Sequence, residues 1–522
     1  MPDVSFELPD PALAEYTWII SDEHTPVAAP PLTGTLFSRP SNDPIPRTVR
    51  INGFSYSRHG AGLGVGESPF ANAPLPQSVA EMRSWRVEWQ PEADKVVEML
   101  AGFDPTTVPS GTWREVLDSH QAEYWRVFGP IHRFAVGPAH AIGRHFQTLY
   151  TQRFGEERVG DAVALLQGMP NASLERAGLL WDASRVLRAH PELMDAVAKG
   201  EMPSGSPAAE EFAAKLGELQ QRFGSTGEGF VEDQPTWGED ASVPLAAIRA
   251  YVGQPDGRGP LDSANAQRDR RDALEGELRG LGATDEACAE LLRVLPIAQE
   301  LMPNLEDHNY YTDQRLNAAS RQRWLAIGRL LQSRGIIDAP EDVFYFDRDE
   351  VIHALEGRIA PSMTVLRERR AEVALWRSVA PPPVLGKPLE AATVPAALIA
   401  HASEVRVVKG AGVSPGSYRG RARVIDAIAE AATLQPGDIL VTRATTPAWT
   451  PFFGVVSALV INVGGMLSHA AIVAREFGLP AVVGTINGTA LIPDGATITV
   501  DGATGIVLVE SLGEPLPQPL PR

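Results

Sequence analysis

The sequence predicts a multidomain α + α/β protein, with a large, mainly helical domain followed by a small α/β domain. Three observations carry that reading. Amphipathic helical spacing dominates residues 87–378. A proline cluster, Ala380-Pro-Pro-Pro383, then interrupts it. Beyond residue 405, short β-branched runs alternate with glycines and one helix. The 522-residue length implies about three domains and more than one hydrophobic core.

Taken in order, residues 1–84 are rich in Pro, Gly and aromatics, and read as irregular or short-stranded structure laid over a neighbouring core. Apolar residues recur at three- and four-residue spacing over 121–149, 171–197, 264–294 and 317–331. Pro203-Ser-Gly-Ser-Pro207 and Gly253-Gln-Pro-Asp-Gly-Arg-Gly-Pro260 separate groups of helices. Residues 1–380 therefore form the first domain, and 381–403 read as a semi-stiff proline-rich linker. In 404–511 the runs 422–425, 438–442, 458–461, 481–483, 497–500 and 506–509 read as strands. The tail, 512–522, is too proline-rich to fold.

Composition excludes several functions. With 46 Lys+Arg against 65 Asp+Glu, the formal charge is −19, the opposite of a nucleic-acid or anionic-membrane binder. Cys288 is the only cysteine, so no intrachain disulfide or cysteine-rich zinc site forms, and its helical setting reads as packing. The N-terminus lacks the basic-then-apolar signature of a secretory signal. No apolar run reaches the ~18 residues of a membrane span. The expected location is cytoplasmic, with neither nucleic acid nor membrane as partner.

The chemistry concentrates in Ala458-Leu-Val-Ile-Asn-Val-Gly-Gly-Met-Leu-Ser-His-Ala-Ala-Ile-Val-Ala-Arg-Glu-Phe-Gly-Leu-Pro480. A buried strand ends near Ile461, Gly464-Gly465 turns the chain, and Ser468 is placed to cap a helix over 470–477. His469 then sits in the first turn, at the positive end of the helix dipole, where neutral imidazole is favoured. Free backbone N–H groups there suit an anion such as a phosphoryl group. The competing reading is a surface histidine that merely lies near a cap.

This segment, continued by Ala-Val-Val-Gly484, resembles the phosphohistidine signature of the PEP-utilising enzymes. That family includes phosphoenolpyruvate synthase, pyruvate phosphate dikinase and rifampicin phosphotransferase. Ser414-Pro-Gly, Gly420-Arg-Ala-Arg-Val424, Gly437-Asp-Ile-Leu-Val-Thr442, Thr445-Thr-Pro-Ala-Trp449, Asp494-Gly and Val500-Asp-Gly-Ala-Thr-Gly505 match it as well. The resemblance implies that 404–511 is a swivelling phosphohistidine domain with His469 as phosphoryl carrier. Gly464, Gly465, Ser468, Thr445, Thr446 and Arg475 then form the phosphoryl pocket. Asn462 departs from the acidic or threonine residue often found near that strand end.

Between residues 1 and 380 no glycine-rich phosphate loop has a neighbouring lysine; Gly60-Ala-Gly-Leu-Gly-Val-Gly66 lacks a flanking strand and helix. The helical region resembles, more loosely, the acceptor domain of rifampicin phosphotransferase and the carrier subunit of phenylphosphate synthase. The matching pieces are Leu165-Leu-Gln-Gly-Met-Pro170, Pro235-Thr-Trp237, Glu306-Asp-His-Asn-Tyr-Tyr-Thr-Asp313, Ile327-Gly-Arg-Leu330 and Pro340-Glu-Asp-Val-Phe-Tyr345. The implied layout is acceptor domain, linker, carrier domain, with ATP and Mg on a separate ATP-grasp subunit. Hydroxyphenylethanone dikinase is a system of this kind.

Glu306, Tyr310, Asp313 and Asn317 share one helical face, with His308, Tyr311 and Arg315 on an adjoining one. On the implied reading His308 or Glu306 is the base for a phenol, oriented by Asp313, and Tyr310, Tyr311 and Arg315 line the pocket. The bland alternative is an exposed helix with ordinary charge pairs. Asp118 and His120 are further lining candidates; Trp113 and Trp125 beside them read as core. No His/Asp/Glu set has metal-ligand spacing, so no dedicated metal site is expected. The expected activity is that of a dikinase-type phosphotransferase subunit acting on a small aromatic hydroxyl compound. The alternatives are a split rifampicin-type antibiotic phosphotransferase and a phosphohistidine relay to a protein acceptor.

Overall fold

The computed structural model describes residues 4–20, 27–36, 45–58, 74–229, 231–282, 285–379, 381–388, 407–465 and 468–511. The glycine-rich 60–66 stretch, residues 389–403 of the linker and the 512–522 tail lie outside the described residues. No helix among the described residues is long and apolar enough to cross a membrane.

The N-terminal segment forms a four-stranded antiparallel sheet in the order β2-β3-β1-β4, from β1 (Thr17–Ile20), β2 (Thr48–Ile51), β3 (Phe54–Arg58) and β4 (Val384–Gly386). Trp18, Phe54 and Tyr56 are buried in its core, and the Trp18 indole N–H donates to the Leu13 carbonyl at 2.8 Å. β4 corrects the linker reading at its start. Prolines forbid helix there, yet they can precede an edge strand, and Pro382 and Pro383 offer carbonyls to Tyr56 Oη and Ile20 N. Residues 384–386 thus belong to the first domain's sheet, paired with β1.

The predicted helices appear as Trp113–Ile131, Gly137–Phe154, Ala172–Ala189, Pro260–Gly282, Glu286–Leu301 and Arg315–Ser333. Cys288 is fully buried in the second of their cores, as its small apolar role requires, and Trp113 is buried in the third. The 121–149 expectation needs one correction. Pro130 lies inside the first helix and a π-helical stretch, His132–Val136, separates it from the next. A proline removes one helical hydrogen bond, and the backbone widens nearby. A second π-helical stretch, Asn309–Gln314, joins the Asn304–His308 helix to Arg315–Ser333, so one nearly continuous helix runs through the region of Glu306.

The C-terminal domain is an eight-stranded sheet ordered β5-β12-β11-β7-β8-β9-β10-β6. Its strands are β5 (Val407–Lys409), β6 (Ala411–Ser414), β7 (Ser417–Val424), β8 (Asp438–Thr442), β9 (Ala458–Ile461), β10 (Ala481–Val483), β11 (Thr497–Asp501) and β12 (Ile506–Ser511). Six match the predicted runs, whereas β5 and β6 were too short and glycine-rich to read. β7 to β10 are parallel neighbours, and β8 and β9 are buried throughout, which suits their unbroken apolar runs.

The two domains share one hydrophobic core. Leu180, Phe212, Ile248 and Tyr251 of the helical domain join Trp449, Phe452, Phe453 and Ala471 in a single buried cluster. Tyr251 Oη donates to the Pro451 carbonyl at 2.5 Å, and Gln254 Nε2 to those of Gly454 and Val455.

Candidate active site

The parallel centre of the C-terminal sheet places the site. Open α/β sheets bind ligands beyond the carboxyl ends of their parallel strands. β8 ends at Thr442 and β9 at Ile461; the segments that follow them, 443–450 and 462–469, carry the candidate residues. Gly464 holds φ +106, a conformation costly for other residues, and a side chain there would meet Ser468 Oγ at 2.8 Å. The turn then leads into the His469–Glu476 helix, with His469 its first residue. Ser468 occupies the cap position with extended backbone, but its hydroxyl donates to the Gly465 carbonyl at 2.9 Å. The predicted side-chain cap is therefore absent, and the first-turn N–H groups stay unclaimed by it. Asn462 fastens the neighbouring loop: its Nδ2 donates to Thr489 Oγ1, and its Oδ1 accepts from Thr489 N and Thr485 Oγ1.

His469 points into the helical domain. Its Nδ1 lies 2.9 Å from Glu306 Oε2 and 3.1 Å from Oε1, and its Nε2 lies 3.2 Å from Thr450 Oγ1. Glu306 is 2% exposed, and its Oε2 also accepts from Ser173 Oγ at 2.8 Å. With Glu306 ionised, Nδ1 must be the donor, which leaves the Nε2 lone pair facing the Thr450 hydroxyl.

Buried charge surrounds this contact on the helical side. Arg176, 1% exposed, reaches across to the C-terminal domain: one Nη donates to the Pro447 carbonyl at 2.8 Å, the other to Thr226 Oγ1 at 3.3 Å. Its Nε has no partner, and burial lowers its pKa to about 10 against the pull of Glu306. Asp307 pairs with Arg86 and accepts from Ala172 N at 2.8 Å, capping the helix that carries Ser173 and Arg176. Burial still pushes the Asp307 carboxyl upward. The N-termini of the Ala172–Ala189 and His469–Glu476 helices thus meet around one carboxylate. Thr445 and Thr446 are buried nearby in chain, and neither hydroxyl has a partner.

The other sequence-selected residues take different places. Arg475 turns its Nε to the Val413 carbonyl at 2.6 Å, and burial lowers its pKa to about 10; it ties the helix to β6. His308 engages the Asn304 carbonyl through Nδ1 at 2.8 Å and neighbours His140. Tyr310 donates to the Arg222 carbonyl and packs tilted on Phe223, centroids 4.7 Å apart, at the C-terminal end of the Pro207–Phe223 helix. Tyr311 lies under Arg86 at 6.0 Å, and Arg315 pairs with Asp94. Asp313 is 3% exposed and faces Tyr124. Asp118 pairs with Arg348 at the surface; burial and Arg323 push His120 down to about 4. Of the acceptor-side candidates, then, Glu306 hydrogen-bonds to His469.

Thr450, Ser173 and Arg176 escaped the sequence reading. A signal existed for two of them: Ser173 and Arg176, three apart, fall on the same buried face as Leu180 and Ser184. A serine–arginine pair inside an otherwise apolar stripe marks a polar junction. Among the described residues no group of three or more His, Cys, Asp or Glu could hold a metal.

Residues 434–505 match the mobile domain of PEP-utilising enzymes. The C-terminal domain is a PEP-utilising enzyme mobile domain. Residues 135–306 match the rifampicin phosphotransferase fourth domain, whose match ends at Glu306 itself. Similar proteins include the chondramide synthase of Chondromyces crocatus, 34% identical over 66% of this chain and 10% of its own length. An uncharacterised phosphotransferase, YvkC, of Bacillus subtilis is 30% identical over 72% of this chain and 46% of that protein. A rifampicin phosphotransferase of Streptomyces sviceus is 30% identical over 68% and 42%. The chain therefore spans less than half the length of these relatives.

Proposed function

We propose that this chain is a phosphotransferase component in which His469 accepts a phosphoryl group and passes it to a hydroxyl compound held by the helical domain. The observation that carries this reading is the contact of His469 with Glu306 and Thr450 at the junction of the two domains. A carrier histidine presented to a buried carboxylate, beside a buried arginine, is arranged for delivery. The matched families support the reading by their names.

In this proposal Nε2 bears the phosphoryl group. Glu306 holds Nδ1–H and so fixes both ring orientation and tautomer. Transfer breaks the P–N bond to Nε2 and forms a P–O bond to the acceptor; the pair from P–N returns to Nε2 and the hydroxyl proton leaves to solvent or a phosphoryl oxygen. Charge on the transferring group is met by Arg176, by the Thr445, Thr446 and Thr450 hydroxyls, and by two helix N-termini. Glu306 lies on the ring nitrogen opposite the reacting one, so it acts on the histidine and is not the base for the hydroxyl. The phosphoryl donor is ATP with Mg, used by an ATP-grasp subunit outside these 522 residues, and the acceptor is a small phenolic compound. A second reading is a rifampicin-type acceptor, favoured by the 135–306 match.

The test begins with chemical loading by phosphoramidate, which needs no partner. Acid-labile phosphate should appear on wild type and vanish in His469→Ala. Discharge of the loaded chain should then accelerate with phenols. Acceleration by rifampicin and not by phenols would decide for the second reading, and no acceleration by any hydroxyl compound would sink both.

A further inference from the structure

The helical domain holds segment 447–455 of the C-terminal domain by its main chain. Near one end Arg176 takes the Pro447 carbonyl. At the other end Tyr251 Oη donates to the Pro451 carbonyl, and Gln254 Nε2 donates to those of Gly454 at 3.3 Å and Val455 at 3.2 Å. These carbonyls lie within and just beyond the Thr450–Phe453 helix, whose first residue carries the hydroxyl 3.2 Å from His469 Nε2. So short a helix leaves carbonyls at its C-terminal end without intrahelical partners, and the NH2 of one amide suits two of them. Gly454 makes the approach possible. A side chain there would meet Tyr251 Oη at 2.6 Å and Cε1 at 2.8 Å, although its φ of −71° is one that any residue adopts.

The gripping turn is itself braced. Tyr251 lies in the last turn of the Ser242–Val252 helix, and Gln254 N donates back to its carbonyl at 3.0 Å. Arg185 bonds to the carbonyls of both Tyr251 and Gln254, and its guanidinium lies 3.9 Å from the centroid of Trp181. Trp181 in turn meets the Tyr251 ring edge-on at 5.8 Å. Tyr251 and Gln254 are both buried, and burial raises the Tyr251 pKa, so its hydroxyl keeps the proton it donates. Arg185 and Trp181 belong to the Ala172–Ala189 helix, which near its other end carries Arg176 and Ser173, the partner of Glu306. One helix, about 18 Å long from Ser173 to Arg185, thus sets both the carboxylate at His469 Nδ1 and the turn that holds the Thr450 helix at Nε2.

We propose that Tyr251 and Gln254 are positioning residues that dock the C-terminal domain by three of its main-chain carbonyls and so place Thr450 against His469. The grip consists of neutral hydrogen bonds, each modest alone, so it opens without stranding a buried charge. It reads the backbone, and the one side-chain requirement it imposes on the three gripped positions is that 454 carry none. This deepens the proposed function and rests on it for the transfer that docking serves, but docking is measurable without any phosphoryl group.

The experiment is residue-resolved amide exchange on the full, unphosphorylated chain at one pH. The Gly168 N–H, bonded to Glu476 on the carrier helix, reports docking from outside the altered contacts. Its protection should fall about 10-fold or more in Gly454→Ala, which drives a methyl group into Tyr251, and about 3- to 10-fold in Gln254→Ala and in Tyr251→Phe. Amides of the Glu286–Leu301 helix, which packs in another core, should keep theirs. Tyr251→Leu removes the atoms that a side chain at 454 would meet, so adding Gly454→Ala to it should cost less than about 3-fold more. In Gly454→Ala the 15N signals of His469 should also lose the single Nδ1–H pattern that docking on Glu306 enforces. Unchanged Gly168 protection in Gly454→Ala, the same loss when it is added to Tyr251→Leu, a parallel loss across the Glu286–Leu301 amides, or a wild-type His469 pattern would each overturn the grip. If the expected changes appear and the loaded chain discharges to no hydroxyl compound, the grip stands and the transfer reading falls.

Discussion

The two faces that meet at His469 differ in kind. The mobile domain contributes a helix N-terminus and the Thr450 hydroxyl against the imidazole, with the buried Thr445 and Thr446 hydroxyls on the segment that precedes Thr450 and Arg475 turned away to β6. The helical domain contributes buried charge, Glu306, Asp307 and Arg176, with an exposed arginine, Arg86, paired to Asp307. On the proposed function, an uncharged cradle suits a carrier that keeps its phosphoryl group between sites. The charges that would stabilise transfer are then met on docking, which would tie delivery to the helical domain. The shared hydrophobic core, in which Phe452 and Phe453 pack with Tyr251, is what the swivelling motion in that proposal would have to separate.

The most severe way to break the comparison is at the carrier. His469→Asn should abolish acid-labile labelling while leaving the fold intact, because the side chain sits at a helix start and, among the described residues, its polar contacts are with Thr450 and Glu306. Next in size is Arg176→Met, which removes the arginine that bonds to the mobile segment. Loading of His469 should proceed at the wild-type rate, and discharge to acceptor should slow about 100-fold. Arg176→Lys should recover part of that loss. Equal discharge in Arg176→Met and wild type would mean that the charged face plays no part in transfer. Thr450→Val, on the neutral face, should slow discharge by no more than about 10-fold, the worth of one uncharged hydrogen bond.

The same contrast explains what the sequence could reveal. The mobile domain was legible because its strands are continuous apolar runs and its site is local: Gly464, Gly465, Ser468 and His469 lie within six residues. Its two unread strands, β5 and β6, gain their identity from pairing with β12 and β10, which no local pattern encodes. On the helical side, helices were legible and their assembly was not. Helical spacing put Tyr310 with Glu306, but the π-helical Asn309–Gln314 stretch shifts the phase, and Tyr310 packs on Phe223 while Glu306 meets His469. Arg176 lies 130 residues from Glu306 in sequence, and only tertiary packing brings the two to one junction.

A smaller effect concerns the ring tautomer. Glu306→Gln keeps the side chain's shape and removes the acceptor that enforces Nδ1–H, because an amide can turn its NH2 toward the ring. Discharge should slow about 10-fold, and the 15N spectrum of His469 should change from one dominant tautomer to a mixture. A single unchanged tautomer in Glu306→Gln would place the control of the ring with Thr450 instead.

The mildest prediction reads the junction through pH. Glu476, on the carrier helix, is buried against the helical domain with its Oε2 accepting from Gly168 N at 3.1 Å. Burial raises its pKa from 4.5 to about 7, with Glu306 adding to the rise while the Gly168 N–H, Arg271 and Arg475 oppose it. An acid whose pKa is raised in the docked state holds its proton more tightly there than in the separated state. Docking is therefore strongest below about 4.5, weakens as pH rises to about 7, and is level above that. Glu228, raised to about 7 by burial and by Asp233 against the opposing pull of Arg377 and Arg443, acts with the same sign where docking buries it. Exchange protection of the Gly168 amide, corrected for intrinsic rates, should fall across this window in wild type. It should fall less in Glu476→Gln, which keeps an oxygen for that N–H, and the slope should vanish in the Glu228→Gln/Glu476→Gln double variant. A slope of wild-type size in the double variant would show that these two carboxyls do not report on docking, and would move the search to other titrating groups at the junction.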